Sequence, residues 1–201
     1  MLTYRALEIA RMKSRHSLHI LWVAGLAALM PISAMAAQWH VQTTGSEILF
    51  EYASDGSPKN GVFTGFSGSG QFDAENLAGA RLDLKIETSS IDLYDILASA
   101  FAQSAEWFDS KNHPYVIYRL ISLTPIEGNR YQAKGQLTIR GKERPITSEI
   151  DLSVRDGTAS AKGSLVIVRA DYLLGVGPSA AFVEVSPEVT VQFDLRAVQS
   201  E

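Results

Sequence analysis

Residues able to do covalent or metal chemistry are few in this chain, and they are scattered. His40 and His113 lie 73 positions apart with no HxH or HxxxH partner, which is poor material for a metal site. The 201 residues include no cysteine, so disulfides, thiolate metal sites, sulfur nucleophiles and a lipid-anchored cysteine are all excluded. Ser67, within Gly65-Phe66-Ser67-Gly68, superficially approaches a nucleophile elbow, but its surroundings read as strand and lack the helix that must follow one. Glu47 with Glu51, and Asp92 with Asp95, fall at positions that read as solvent-facing, without the apolar pocket that tunes a carboxyl for acid–base work. Glycine motifs that cradle phosphate ahead of a helix are missing. No catalytic residue and no metal ligand is assigned.

The apolar residues say more. Most of the chain after residue 36 alternates with a period of two: Ile48, Phe50 and Tyr52 interleave with Glu47, Leu49 and Glu51, and Ala80, Leu82, Leu84 and Ile86 with Arg81, Asp83, Lys85 and Glu87. Similar strands are expected near 115–124, 130–139, 145–155, 158–168 and 188–197. Glu127-Gly128-Asn129, Arg140-Gly141-Lys142 and Asp156-Gly157 are short enough to join them as antiparallel hairpins. With Trp39–Thr43 and the glycine-rich segment 62–73, this makes about eight or nine strands in an up-and-down meander.

One sheet of that size would leave its apolar face open, and closing it into a barrel removes the problem. Gly61, Gly65, Gly68 and Gly70 then suit either sharp strand bends or a flexible loop. Between the strands, Leu93, Ile96, Leu97, Ala100 and Phe101 follow helical spacing, which predicts a three-turn amphipathic helix over 92–104. Such a helix either covers a barrel mouth or packs outside the sheet. Asp92 and Ser90 are its candidate N-caps.

Sixteen of the eighteen aromatic residues follow residue 36. An eight-stranded barrel is just wide enough to be filled by side chains or to hold one slender ligand. On strand parity the candidate lining is Phe50, Tyr52, Phe63, Phe66, Leu84, Ile86, Phe108, Tyr118, Leu137 and Ile167. Such a tunnel suits an alkyl or isoprenoid chain, because each buried CH₂ contributes about 0.8 kcal/mol without directed contacts. Arg140-Gly141-Lys142-Glu143-Arg144-Pro145 puts three cations on one hairpin tip, either as a solvated turn or as a contact for an anionic membrane or partner.

Arg5, Arg11, Lys13 and Arg15 precede an apolar run from Leu18 to Met30, and Ala34-Met35-Ala36 supplies small residues for a signal peptidase. Residues 1–36 are read as a cleaved signal peptide, shorter in its apolar core than a membrane span and with Met12 as a candidate true start. The domain of 37–201 then carries 14 basic against 21 acidic residues, a net charge of −7. Export to the periplasm is expected. Nucleic acid is excluded as a partner, since its phosphates demand a basic face.

A family likeness rests on an ordered set of motifs: Gly61-Val62-Phe63-Thr64-Gly65-Phe66, Phe72-Asp73, Ile86-Glu87-Thr88-Ser89-Ser90-Ile91-Asp92, Trp107-Phe108-Asp109 before Pro114, Gly135-Gln136-Leu137-Thr138-Ile139-Arg140-Gly141 with Arg144-Pro145, and Arg169-Ala170-Asp171-Tyr172. Together they resemble the YceI-like polyisoprenoid-binding family of exported bacterial proteins. The resemblance implies an all-β, eight-stranded antiparallel lipocalin-like barrel. It also implies that the tunnel holds an amphiphilic isoprenoid lipid, such as a polyprenyl phosphate or a quinone tail, with no other cofactor.

Arg169 and Asp171 are candidates for head-group contact or for an internal ion pair. A redox-linked quinone role beside a membrane b-type cytochrome, an enzyme acting on an isoprenoid lipid, transient membrane contact and a homodimer stay open. Two departures stand out. Gly45-Ser46 replaces the family's usual His-Ser, and Leu173-Leu174 is inserted between Tyr172 and Gly175.

Overall fold

A computed structural model describes residues 37–73, 76–178 and 183–200. The expected signal peptide, 1–36, lies outside the described residues. The strands are β1 (Ala37–Ser54), β2 (Ser57–Phe63), β3 (Phe66–Asp73), β4 (Asn76–Glu87), the two-residue β5 (Ile91–Asp92), β6 (Tyr115–Glu127), β7 (Arg130–Ile139), β8 (Lys142–Arg155), β9 (Thr158–Val168) and β10 (Glu188–Gln199). One α-helix, α1 (Ile96–Ala102), and two 3₁₀ turns, Thr88–Ser90 and Arg169–Tyr172, complete the set among the described residues.

Among the described residues all ladders are antiparallel, and β10 pairs back onto β1, so eight strands close a barrel in the order β1-β3-β4-β6-β7-β8-β9-β10. This is the expected meander with one refinement. Strands β2 and β3 lie on the same side of β1 and share its length, Leu49–Ser54 pairing with β2 and Ala37–Val41 with β3. The glycine-rich segment is thus one long strand broken at Thr64-Gly65, and the short β5 pairs alongside β2 at Val62 and Phe63. Gly61 permits close approach rather than a loop, because a Cβ there would stand 2.4 Å from the Phe50 ring.

Trp39–Thr43 is likewise not a separate strand. Strand β1 runs straight through it, with a bulge where Gln42 opposes Arg196 and Glu47 opposes Asp194. Gly45, at φ +78°, makes that bulge possible, and the Ser46 hydroxyl accepts from the Arg196 amide. The extra residues reverse the parity of the strand. Trp39 and Val41 face inward at odd positions, whereas Ile48, Phe50 and Tyr52 face inward at even ones.

The helix differs from expectation. It is seven residues long, begins only after Tyr94 at φ +58°, and is capped by the Asp95 carboxylate, which accepts from the Ala98 amide. Its expected apolar stripe is divided: Ile96 is 88% and Leu97 80% exposed, whereas Leu93 and Phe101 border the cavity. Ala98 and Ala102 border it beside Phe101.

Candidate functional site

The inward faces enclose an apolar cavity of about 340 Å³. Its walls come from every barrel strand, from α1 and from the loop after it. Aromatic rings build one flank: Phe50 tilts against Phe63 at 5.4 Å, and Phe63 meets Phe108 edge-on at 5.6 Å. At the opposite end Trp39 stacks on Phe72 at 4.5 Å. Strand pleating puts these rings inside, and curvature keeps the facing walls too far apart for them to interdigitate fully.

Of the expected lining, Phe50, Tyr52, Phe63, Leu84, Ile86, Phe108, Tyr118, Leu137 and Ile167 all border the cavity. Phe66 is a correction in position. It is buried in the same apolar cluster, but it does not border the space. Alternation also marks residues that the sequence reading passed over: Val189, Val191, Phe193, Leu195 and Ala197 of β10 line the cavity at strict period two. Trp39 and Val41 line it as well. The signal for them was Gly45, since a glycine inside an alternating strand marks a bulge and hence a change of face.

Polar groups in the wall are few. The Tyr118 phenol is pushed up to about 12 by burial, and burial raises Tyr52 as well; outside the wall, burial also raises Tyr172, Asp171 adding to the effect and Arg144 opposing it. Two arginines border the cavity, Arg81 and Arg169. Arg169 donates from Nε to the Ser186 carbonyl (3.0 Å), from Nη1 to Leu174 and Gly175 (2.8 Å each) and from Nη2 to Val185 (3.0 Å). Its guanidinium also lies 5.7 Å from the centre of the Trp107 ring. Asp171 is exposed and takes no part, so the internal ion pair is replaced by bonds to backbone. The reason is local: the 3₁₀ turn carries Asp171 outward while loop carbonyls converge on Arg169.

Arg140 behaves similarly, donating to the carbonyls of Leu173, Glu106 and Ala105. The hairpin tip is therefore not wholly a solvated turn, although Lys142 and Arg144 are exposed. The Leu173-Leu174 insertion places Leu173 at φ +58° in water and buries Leu174 as a cavity wall at the helical mouth. His40 is exposed, and His113 stands 3.9 Å from Asp109 away from the cavity.

An antiparallel barrel closed around an apolar cavity defines a barrel of the lipocalin-like kind. The model of the YceI-like domain matches residues 39–197, and the chain belongs to that family. Among relatives, a UPF0312 protein of Vibrio parahaemolyticus is 26% identical over 176 residues, covering 82% of this chain and 93% of its own length. Protein YceI of Escherichia coli O157:H7 is 25% identical over 123 residues, 60% of this chain and 64% of its own.

The crystal structure of Burkholderia cenocepacia BcnA superposes with a TM-score of 0.71 at 27% identity, covering 78% of this chain and 98% of BcnA. A polyisoprenoid binding domain from Saccharophagus degradans, described as implicated in plant cell wall breakdown, gives 0.68 at 17% identity, covering 83% and 99%. The latter likeness is one of fold.

Proposed function

We propose that this protein is a periplasmic, non-catalytic carrier that encloses the tail of a long-chain polyisoprenoid lipid, of polyprenyl phosphate or quinone type, in its barrel. The observation that carries the reading is the apolar cavity running between the ends of a closed barrel, with Phe50, Tyr52, Phe63, Leu84, Ile86, Phe108, Tyr118, Leu137 and Ile167 on its wall. Family membership supports it, as does the polyisoprenoid-binding description of the Saccharophagus degradans domain. The lipid is the ligand, and no further cofactor is required. The basic-then-apolar segment before Ala36 supports export.

Binding here draws on apolar burial. At about 0.8 kcal/mol per CH₂, tens of carbons supply ample affinity after the losses of association. The test is mass spectrometry of an organic extract of the protein purified from its exported compartment. Stoichiometric isoprenoid is expected; protein that is empty and also refuses added polyprenol refutes the carrier.

A further inference from the structure

Only two of the described residues lining the cavity are themselves exposed: Phe101 on α1, and Arg81 on β4. They mark where the cavity meets water, and one of the two is a cation. Among the described residues the β4–β6 ladder runs from Glu87↔Tyr115 to Asp83↔Arg119 and has no further rung, so the ladder, though not the packing of the two strands, is split beside Arg81. Its Nη1 donates to its neighbour's carbonyl on Ala80 (2.7 Å) and reaches the Ile121 carbonyl across the split (3.4 Å). Among the described residues, Nε and Nη2 have no hydrogen-bond acceptor and no carboxylate pairs with the guanidinium; nearby Asp83 is engaged by Arg119 at 3.4 Å. Arg169, by contrast, has its guanidinium committed to four carbonyls.

Resting on the carrier reading, we infer that Arg81 holds the anionic head group, phosphate or another oxyanion, of the lipid whose tail fills the barrel. The head then sits at the split between β4 and β6, and the tail points toward α1. A guanidinium offers parallel N–H donors that match phosphate oxygens, and an apolar cavity behind it accepts only the hydrocarbon.

The test is calorimetric titration of the delipidated protein with geranylgeranyl phosphate and with geranylgeraniol, presented in the same detergent. The wild type is expected to bind the phosphate about tenfold more tightly, the scale of one charge-assisted hydrogen bond. Arg81→Gln should abolish that preference while leaving the alcohol unchanged, Arg81→Lys should retain part of it, and added salt should erode it. Equal binding of both ligands by the wild type overturns the head-group assignment and leaves the carrier standing. Equal weakening of both by Arg81→Gln and Arg81→Lys also overturns it, showing a structural clasp. Binding of neither ligand by folded wild type overturns the carrier and this assignment together.

Discussion

The two ends of the barrel are built on opposite plans. At the helical end the backbone is tied by arginines: Arg169 and Arg140 between them reach the carbonyls of residues 105, 106, 173, 174, 175, 185 and 186. Loops with no ladder of their own are held there by side chains, and Trp107 packs between Gly175 and Arg169. At the other end the strands have ladders available, yet among the described residues β4 and β6 pair no further than Asp83↔Arg119. A small second cluster of Ala80, Leu123 and Ala133 fills behind the split. A barrel can thus be closed at one mouth by irregular structure and loosened at the other by withholding hydrogen bonds from regular structure.

The sharpest way to break this contrast is to truncate the two cavity arginines in turn. Arg169→Ala leaves four carbonyls without their donor and should cost about 3 kcal/mol, read as a lowered urea midpoint. Arg81→Ala removes two contacts made by one nitrogen of an exposed side chain and should change stability by no more than about 0.5–1 kcal/mol. Similar losses for both would mean that the split end is as tightly tied as the helical one.

Tyr118 reports on the split directly, since it pairs with Leu84 one rung from where the ladder stops. Burial holds its proton up to about 12 against an ordinary value of 10.0. The folded state therefore binds this proton more tightly than the unfolded chain. Its contribution to stability is complete below about pH 10 and is lost as the pH rises through about 12. Ultraviolet titration should show a tyrosine ionising well above the exposed ones; if all ionise together near 10, the split admits water to the mid-barrel.

The smallest effect is expected on α1. Ile96→Ser with Leu97→Ser should shift thermal stability by no more than about 0.5 kcal/mol, because both side chains are exposed. A large loss would restore the amphipathic packing that their spacing suggests.

How much was legible follows from the range of each signal. Phe50, Tyr52, Leu84 and Ile86 were readable because alternation is a property of the strand itself, needing no knowledge of its neighbours. Trp39 and Val41 were not, because a bulge at Gly45 reversed their face and only the partner strand reveals how many residues it absorbs. The helix was legible only in part: periodicity put Leu93, Ile96, Leu97 and Phe101 on one stripe, but a seven-residue helix that starts after Tyr94 leaves Ile96 and Leu97 in water and only Leu93 and Phe101 at the cavity. Arg169 was singled out with Asp171 as a pair near in sequence, whereas its acceptors lie up to 17 residues away on a converging loop.

From the sequence alone came the barrel, its apolar interior and the family motifs, since these depend on local period, turn residues and ordered short segments. Tertiary structure alone decided which arginine is spent on backbone and which is left at the cavity's edge. That distinction depends on where carbonyls from distant segments converge and where a ladder ends. Neither is encoded in the identity or spacing of the arginines themselves.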